Sequence, residues 1–351
     1  MPAPLHKILI IRLSSLGDVV LSSPLVRMVR RRFPESKIDF LVKTEYADLV
    51  RHNPHLSGVI ELPATAGVAD LRQMRRHISS TKYDLIIDIH ESLRSRYLCL
   101  GAQNIVRIDK RKFARFMLVR FKWNMYERSG GAPSVAERYL ETARPLGVED
   151  DGGGLELFVT ERDIMRAKEI LSDAGLMGDA TIIGICPSAK HDNKIWLKER
   201  FAEVGSGLVD GDGAVLLFGS AGEAARCEEI KGLLARHHPR PKTLNLAGRV
   251  SLLETAALMD KCSIIITNDS GLMHMAAARG RPVVAVFGPT VKEFGFFPFR
   301  TRSVVVETSS LPCRPCTHIG LPACPKGHFR CMNDIPSEQV LTAARSLMMQ
   351  A

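Results

Sequence analysis

Residues 262–290 read C-S-I-I-I-T-N-D-S-G-L-M-H-M-A-A-A-R-G-R-P-V-V-A-V-F-G-P-T, and this stretch narrows the fold more than any other. A β-branched run at 263–267 ends in a polar elbow, Asn268-Asp269-Ser270-Gly271. An Ala-rich segment at 272–279 follows, then Gly280, and Pro282 opens a second apolar run at 283–287. The spacing predicts strand, short helix, strand, with Ser270 or Asp269 as the helix N-cap and Gly280 just past its C-terminal end. Two strands joined by a helix pair in parallel through a right-handed crossover. The elbow then lies at the carboxyl end of a strand and the amino end of a helix. Open α/β sheets bind ligands there, and the free N–H groups suit a phosphate. His274, four residues after Ser270, shares that face of the helix. Taken alone, the unit is a well-capped helix with one surface histidine; the rest of the chain changes that reading.

The same alternation runs through the whole sequence. Residues 7–13 (K-I-L-I-I-R-L) form a buried-strand pattern, followed by Ser14-Ser15-Leu16-Gly17-Asp18 and a helical run at 19–33 that Pro34 stops. Further strands are expected at 37–42, 58–62, 84–89 and 104–108. After the flexible break Gly152-Gly153-Gly154, a helix at 161–174 leads to strands at 181–186, 213–218, 243–246, 263–267, 282–287 and 303–307. Helices fit 197–209, 221–236, 251–259 and 337–349. At 351 residues the chain can bury two cores. Two Rossmann-like, doubly wound α/β domains facing a cleft are expected, at 1–158 and 159–351. The C-terminal helix is expected to pack back on the first.

Several functions are excluded or weakened. A dinucleotide site would place G-x-G-x-x-G after the first strand, where this chain has one glycine and an acid that would repel a pyrophosphate. No Walker A sequence occurs. Asp18 is therefore either the N-cap of the following helix or a catalytic carboxylate, and both only if one of its oxygens stays free. No apolar run approaches ~20 residues, and the amino-terminal stretch lacks the apolar region of a signal peptide, so a cytoplasmic protein is expected. The net charge of +10 is concentrated in clusters such as Arg27, Arg30, Arg31 and Arg32, and is densest at 107–122. There Arg107, Lys110, Arg111, Lys112, Arg115, Arg120 and Lys122 alternate with Phe113, Phe116, Met117, Leu118 and Phe121. This run suits either an anionic amphiphile at a membrane surface or a solvated helix face. No nucleic-acid-binding motif accompanies it, and no nucleic acid partner is expected. Cys99, Cys186, Cys227 and Cys262 are scattered as ordinary buried thiols. Cys313, Cys316, Cys324 and Cys331 fall in one segment, 312–332. A structural zinc on all four and free thiols in a compact loop stand level, with disulfides third.

Both ends of the chain resemble the ADP-heptose:lipopolysaccharide heptosyltransferases. The resemblance rests on K-I-L-I-I-R-L-S-S-L-G-D-V-V-L-S-S-P and on T-N-D-S-G-L-M-H-M-A-A-A-R-G-R-P-V-V-A-V-F-G-P-T. It extends to Ala136-Glu137-Arg138-Tyr139-Leu140, P-S-A-K-H-D-N-K-I-W-L-K-E-R-F at 187–201 and F-G-S-A-G-E at 218–223. It implies a GT-B-type fold, acceptor on the first domain and nucleotide sugar on the second. It also implies transfer of a heptose from ADP-heptose to the inner core of a lipid A–Kdo-type lipopolysaccharide, with inversion and without a metal cofactor.

Inversion needs one general base for the acceptor hydroxyl, and Asp18 matches the family's base. Charge develops on the leaving diphosphate and must be met by cations and N–H groups. Lys194 matches the family's lysine, with Lys190 as helper and the helix start at Asp269, Ser270 and Gly271 supplying donors beside His274. Glu223 matches a carboxylate expected on the ribose, and Asp269 is expected to hold sugar hydroxyls or position its loop. Family members often carry hydroxyl residues through 188–190, where only Ser188 does so here. Trp196 is expected to pack rather than stack on a base. The basic residues Arg107, Lys110, Arg111, Lys112 and Arg115 would meet the acceptor at the inner leaflet, making a peripheral, monomeric enzyme. The alternatives are a GT-B transferase or epimerase for another nucleotide sugar, and a non-enzymatic binder of membranes or nucleic acid.

Overall fold

The computed structural model describes residues 5–126, 131–176, 178, 180–209, 213–237 and 242–350. The chain divides into two compact units, one of Met1–Lys112 with Pro133–Phe158 and one of Phe113–Ala132 with Val159–Ala351. The segment Phe113–Ala132 thus belongs with the second unit although it interrupts the first in sequence.

The first unit is built on a parallel sheet of β1 (Lys7–Ile11), β2 (Lys37–Lys43), β3 (Gly58–Leu62), β4 (Leu85–Asp88) and β5 (Ile105–Arg107), in the order β3-β2-β1-β4-β5. Ile10 of β1 lies opposite Phe40 on one side and Ile87 on the other. Ile8, Leu9, Ile10 and Ile11 are all fully buried, because helices cover both faces of the sheet. That is why the strand reads as a continuous apolar run instead of an alternation.

The helical run at 19–33 is two helices, Leu16–Val20 and Ser23–Arg32. Pro24 has no N–H to continue the first helix and sits in the opening turn of the second. The hydroxyls of Ser22 and Ser23 donate to the carbonyls of Val19 and Val20 at 2.6 and 2.8 Å, closing the gap. The glycine stretch after Asp151 is tied down rather than loose. Arg27 donates to both oxygens of Asp151 at 2.9 and 2.8 Å and to the carbonyl of Gly154 at 3.1 Å. A side chain at Gly153 would meet that guanidinium at 2.5 Å.

The second unit carries β6 (Ile182–Cys186), β7 (Ala214–Leu217), β8 (Lys242–Asn245), β9 (Ile264–Asn268), β10 (Val283–Phe287) and β11 (Ser303–Glu307). They form a parallel sheet in the order β11-β10-β9-β6-β7-β8. Its core joins Ile183, Ile185, Val215, Leu217, Ile264, Ile266, Val284 and Val286 to Trp196 and Phe201. The C-terminal helix Ser337–Met349 packs on the helix Lys198–Leu208 and on β9, β10 and β11, and Val340, Ala344 and Leu347 complete this same core. Its apolar face is therefore used within its own unit. The helix Lys112–Phe121 anchors through Leu118 to Tyr126 and Phe294. Among the described residues, no helix is long and apolar enough to cross a membrane.

In each sheet the strand order reverses once, between β1 and β4 in the first and between β6 and β9 in the second. Loops leaving the two strands at such a point diverge and open a crevice at their carboxyl ends.

Candidate active site

At the first switch point, β1 passes through Arg12–Ser15 into the helix Leu16–Val20. Ser15 is the N-cap and Asp18 the third helical residue, so Asp18 is not the cap but the reciprocal member of a capping box. Its Oδ2 accepts from the Ser15 amide at 3.3 Å and the Ser15 hydroxyl at 3.0 Å. Its Oδ1 faces the Arg12 guanidinium at 2.7 Å and accepts from the Tyr139 hydroxyl at 3.2 Å. Four donors thus occupy the carboxylate, whose side chain is 18% exposed. Burial pushes the Asp18 carboxyl up, but the charge and hydrogen bond of Arg12, with those of Ser15, outweigh it and hold the group below the usual carboxylate range.

Arg12 is itself fixed, donating to the Ile89 carbonyl at 2.8 Å and lying 5.6 Å over the Tyr139 ring. Tyr139 comes from the helix Val135–Ala143, started by a reciprocal Ser134–Glu137 cap. Burial pushes its phenol up, so it is a neutral donor.

The loop after β4 supplies the other wall. Buried Asp88 accepts from the amides of His90 and Glu91 and from the Ser95 hydroxyl, at 3.1, 2.8 and 2.9 Å. This holds Glu91 in the left-handed region at φ 44°. His90 is pushed down to about 3, by burial first and then by the charges of Arg12 and Lys110. Its buried Nδ1 has no hydrogen-bond partner.

The expected acceptor cations are largely committed nearby. Arg107 lies 3.8 Å from Asp88, Lys110 donates to the Glu91 carbonyl at 3.0 Å, and Lys112 lies 3.1 Å from Glu91. Arg111 lies 3.6 Å from Glu141. Arg115 is half-buried on the helix Lys112–Phe121 of the second unit and is not grouped with them.

At the second switch point, the loop from β6 is tied to the end of β9 by the Trp196 amide, which donates to Asn268 Oδ1 at 3.0 Å. This brings Lys194 Nζ to 2.6 Å from Asp269 Oδ2, a buried pair with side-chain exposures of 10% and 6%. Thr290, after β10, donates to the same oxygen at 2.7 Å. Both contacts fall on the one oxygen of Asp269 and tie the loops after β6, β9 and β10 together. Ser270 is the N-cap of the helix Gly271–Ala278, and its hydroxyl lies 3.3 Å from that of Thr267. Gly280 takes the left-handed conformation past the helix end, at φ 65°. His274 is buried, not a surface histidine.

Three buried donors on these loops lack hydrogen-bond partners, the Ser188 hydroxyl, Asn193 Nδ2 and Asn268 Nδ2. Such orphans in a well-packed core call for a ligand or another role. Lys190 lies exposed on the same loop. Glu223, beyond β7, accepts from the Ser220 amide and hydroxyl at 2.6 and 2.9 Å through Oε2, leaving Oε1 for another donor. Trp196 packs, as expected: it is fully buried, meets Phe201 edge-on at 5.1 Å and donates to the Ile335 carbonyl at 3.2 Å.

The sequence reading gave no role to Arg12, Tyr139, His90 or Thr290. Arg12 had a signal, as the single charge inside an apolar strand run. Tyr139 and Thr290 lie 121 and 21 residues from the carboxylates they serve, and no local pattern couples them.

The cysteine segment does not assemble a metal centre. Among the described residues no group of three or more His, Cys, Asp or Glu side chains is placed to hold a metal ion, so a structural zinc on Cys313, Cys316, Cys324 and Cys331 is not supported. Cys331 is spent on the second core beside Met332 and Ile335, where burial pushes its thiol up to about 12. All four are free thiols, with Cys313 Sγ 3.8 Å from His328 Nε2.

Two doubly wound parallel sheets, each with its polar residues at the carboxyl side of its switch point, make a fold of the GT-B type. Over 99% of both chains the fold matches a glycosyl transferase family 9 structure from Veillonella parvula, with a TM-score of 0.79 and 23% identity. It matches the E. coli ADP-heptose lps heptosyltransferase II over 98% of this chain and 99% of that one, with a TM-score of 0.74 and 24% identity. In sequence the chain is 31% identical to lipooligosaccharide heptosyltransferase 2 of Haemophilus influenzae, over 82% of this chain and 84% of that protein. Residues 71–324 match the model of glycosyltransferase family 9 (heptosyltransferase), and the chain belongs to that family.

Proposed function

We propose that this chain transfers a heptose from ADP-heptose to the inner core of a lipopolysaccharide acceptor with inversion at the anomeric carbon. The observation that carries the reading is the β6/β9 switch point, where Lys194 and two unpartnered buried donors, Ser188 Oγ and Asn268 Nδ2, stand beside a helix N-terminus. That is a seat for a diphosphate. The acceptor oxygen bonds to the anomeric carbon as the bond from that carbon to the β-phosphate oxygen breaks. The proton of the acceptor hydroxyl passes to Asp18, and the electron pair leaves with ADP. The acceptor hydroxyl approaches Asp18 Oδ1, to which the Tyr139 hydroxyl also donates at 3.2 Å. Arg12 keeps Asp18 ionised until then. Negative charge growing on ADP is met by Lys194, Lys190 and the N–H groups at Ser270 and Gly271, with His274 one turn on. This needs no metal. Glu223 Oε1 accepts from the ribose. The acceptor's anionic groups meet the first unit's Lys110, Arg107, Arg111 and Lys112, drawing them from their present partners, and the enzyme works as a peripheral monomer at the inner face of the inner membrane.

The test is ADP release from ADP-heptose with a panel of truncated lipopolysaccharide acceptors, compared with other nucleotide sugars. Acceptor-dependent ADP release with ADP-heptose, reduced about 10²–10⁴-fold in Asp18→Ala while donor binding persists, is the expected result. Faster turnover of a different nucleotide sugar, or near-normal turnover of Asp18→Ala, overturns it.

A further inference from the structure

The helix Lys112–Phe121 is fixed on one side and bare on the other. Its inner side holds Leu118 against Tyr126 and Phe294, and the segment after it is tied by Asn124 donating to Glu293 at 3.1 Å. Lys122 closes the helix end by donating to the carbonyls of Val119 and Cys313 at 2.9 and 3.2 Å, and to that of Pro315. At 100° per residue, Phe113, Phe116 and Arg120 share the opposite side, and Phe121 ends the helix beside them. Phe113, Phe116, Phe121 and the following Trp123 are 65%, 56%, 52% and 66% exposed. Phe116 and Phe121 meet edge-on at 6.0 Å, and Arg120 lies over the Phe121 ring. Large aromatics in one outward group are unusual on a surface that faces only water.

Charge identifies what covers them. Residues 110–126 contain six Lys and Arg and no Asp or Glu. A second copy stacked on this face through a two-fold axis would set like charges together. An anionic bilayer matches both features, since aromatic rings favour the headgroup level and the cations favour acidic lipids.

We propose that this outer face, with Trp123, inserts into the headgroup layer of an anionic membrane. This names the contact by which a lipid-anchored acceptor would be approached, and in that sense rests on the proposed transfer. Its test uses vesicles with neither acceptor nor donor, so either idea can fail without the other.

The protein has two tryptophans, and Trp196 is fully buried, so a change in emission reports Trp123. Phosphatidylglycerol vesicles should shift the emission to the blue, brominated lipid should quench it, and phosphatidylcholine vesicles should do neither. The exposed triple variant F113S/F116S/F121S should keep its circular dichroism and its ADP release with a soluble deacylated acceptor. It should lose roughly tenfold or more in partitioning to anionic vesicles. The proposal is overturned by salt-sensitive vesicle binding without blue shift or quenching in the parent protein. It is equally overturned by sedimentation showing a dimer that the triple variant dissociates, with no vesicle binding.

Discussion

Replacing Lys194 with Met separates what the Lys194–Asp269 pair does for the fold from what it does for transfer. Methionine keeps most of the length and removes the ammonium that lies 2.6 Å from Asp269 Oδ2. Asp269 is then a buried carboxylate left with the Thr290 hydroxyl at 2.7 Å. At 2.6 Å a unit-charge pair is worth about 1.6 kcal/mol in bulk water and about 6 kcal/mol at an effective dielectric of about 20. With both side chains nine-tenths buried, the loss should approach the ~3–5 kcal/mol typical of orphaning one partner of a buried pair. For a unit of this size that lowers its thermal midpoint by roughly 6–20 °C. Adding Asp269→Asn removes the orphaned charge while keeping an acceptor for Thr290, so most of the stability should return. Turnover should stay down by about 10²–10³-fold, because no cation meets the leaving group. Urea unfolding followed through Trp196, beside ADP release at saturating ADP-heptose, reads both quantities. The reasoning is refuted if Lys194→Met unfolds with the parent, or if the double variant recovers turnover.

Other outcomes follow from the first unit. Asp18 is held below its ordinary range, so its base form persists as pH falls, and its contribution to stability is lost only as pH drops through the folded value. Arg12→Met leaves only the Ser15 hydrogen bonds to oppose burial, and the acidic limb of the kcat/KM profile should move to higher pH; an unmoved limb would detach Arg12 from the base. Tyr139→Phe removes one donor to Asp18 while keeping the ring under Arg12, and should lower kcat by up to about tenfold, in line with ~0.5–1.5 kcal/mol for one hydrogen bond. An unchanged kcat would make that bond incidental. His90 is held neutral down to about 3, whereas the unfolded chain takes up its proton near pH 6.5. The unfolded state therefore binds more protons across that window and stability falls as pH falls. His90→Gln should flatten the dependence between those two values in urea titrations; an unchanged slope would show that another group causes it.

The apolar runs were legible because a parallel sheet buried on both faces writes its strands as unbroken β-branched segments, as at Lys7–Ile11 and Ile264–Asn268. The carboxyl-end elbows were legible for the same reason, since Asp269 follows such a run directly and Asp18 comes within one short turn of one. What they touch was not. Whether Asp18 caps a helix or serves as a base depends on Tyr139, 121 residues away, and on which way Arg12 turns from its strand. The break at Ser22 was hidden because Val19–Phe33 has one apolar period, which Pro24 interrupts only through its missing N–H. The cysteine spacing suggested a shared ligand, but Cys331 had been claimed by the core of its own unit. Spacing along a chain counts candidate ligands and says nothing of competing uses for them.

The chain leaves the first unit at Lys112, gives Phe113–Ala132 to the second, and returns at Pro133 before leaving for good after Phe158. The linear boundary near 158 is therefore a poor place to cut. A fragment of residues 1–158 would carry Leu118 and Tyr126 without Phe294, and one of 159–351 would bare Phe294. Exchanging halves between relatives to mix acceptor and donor preferences would mismatch that arm with a foreign docking surface. A workable exchange moves residues 113–132 together with 159–351, as one discontinuous cassette.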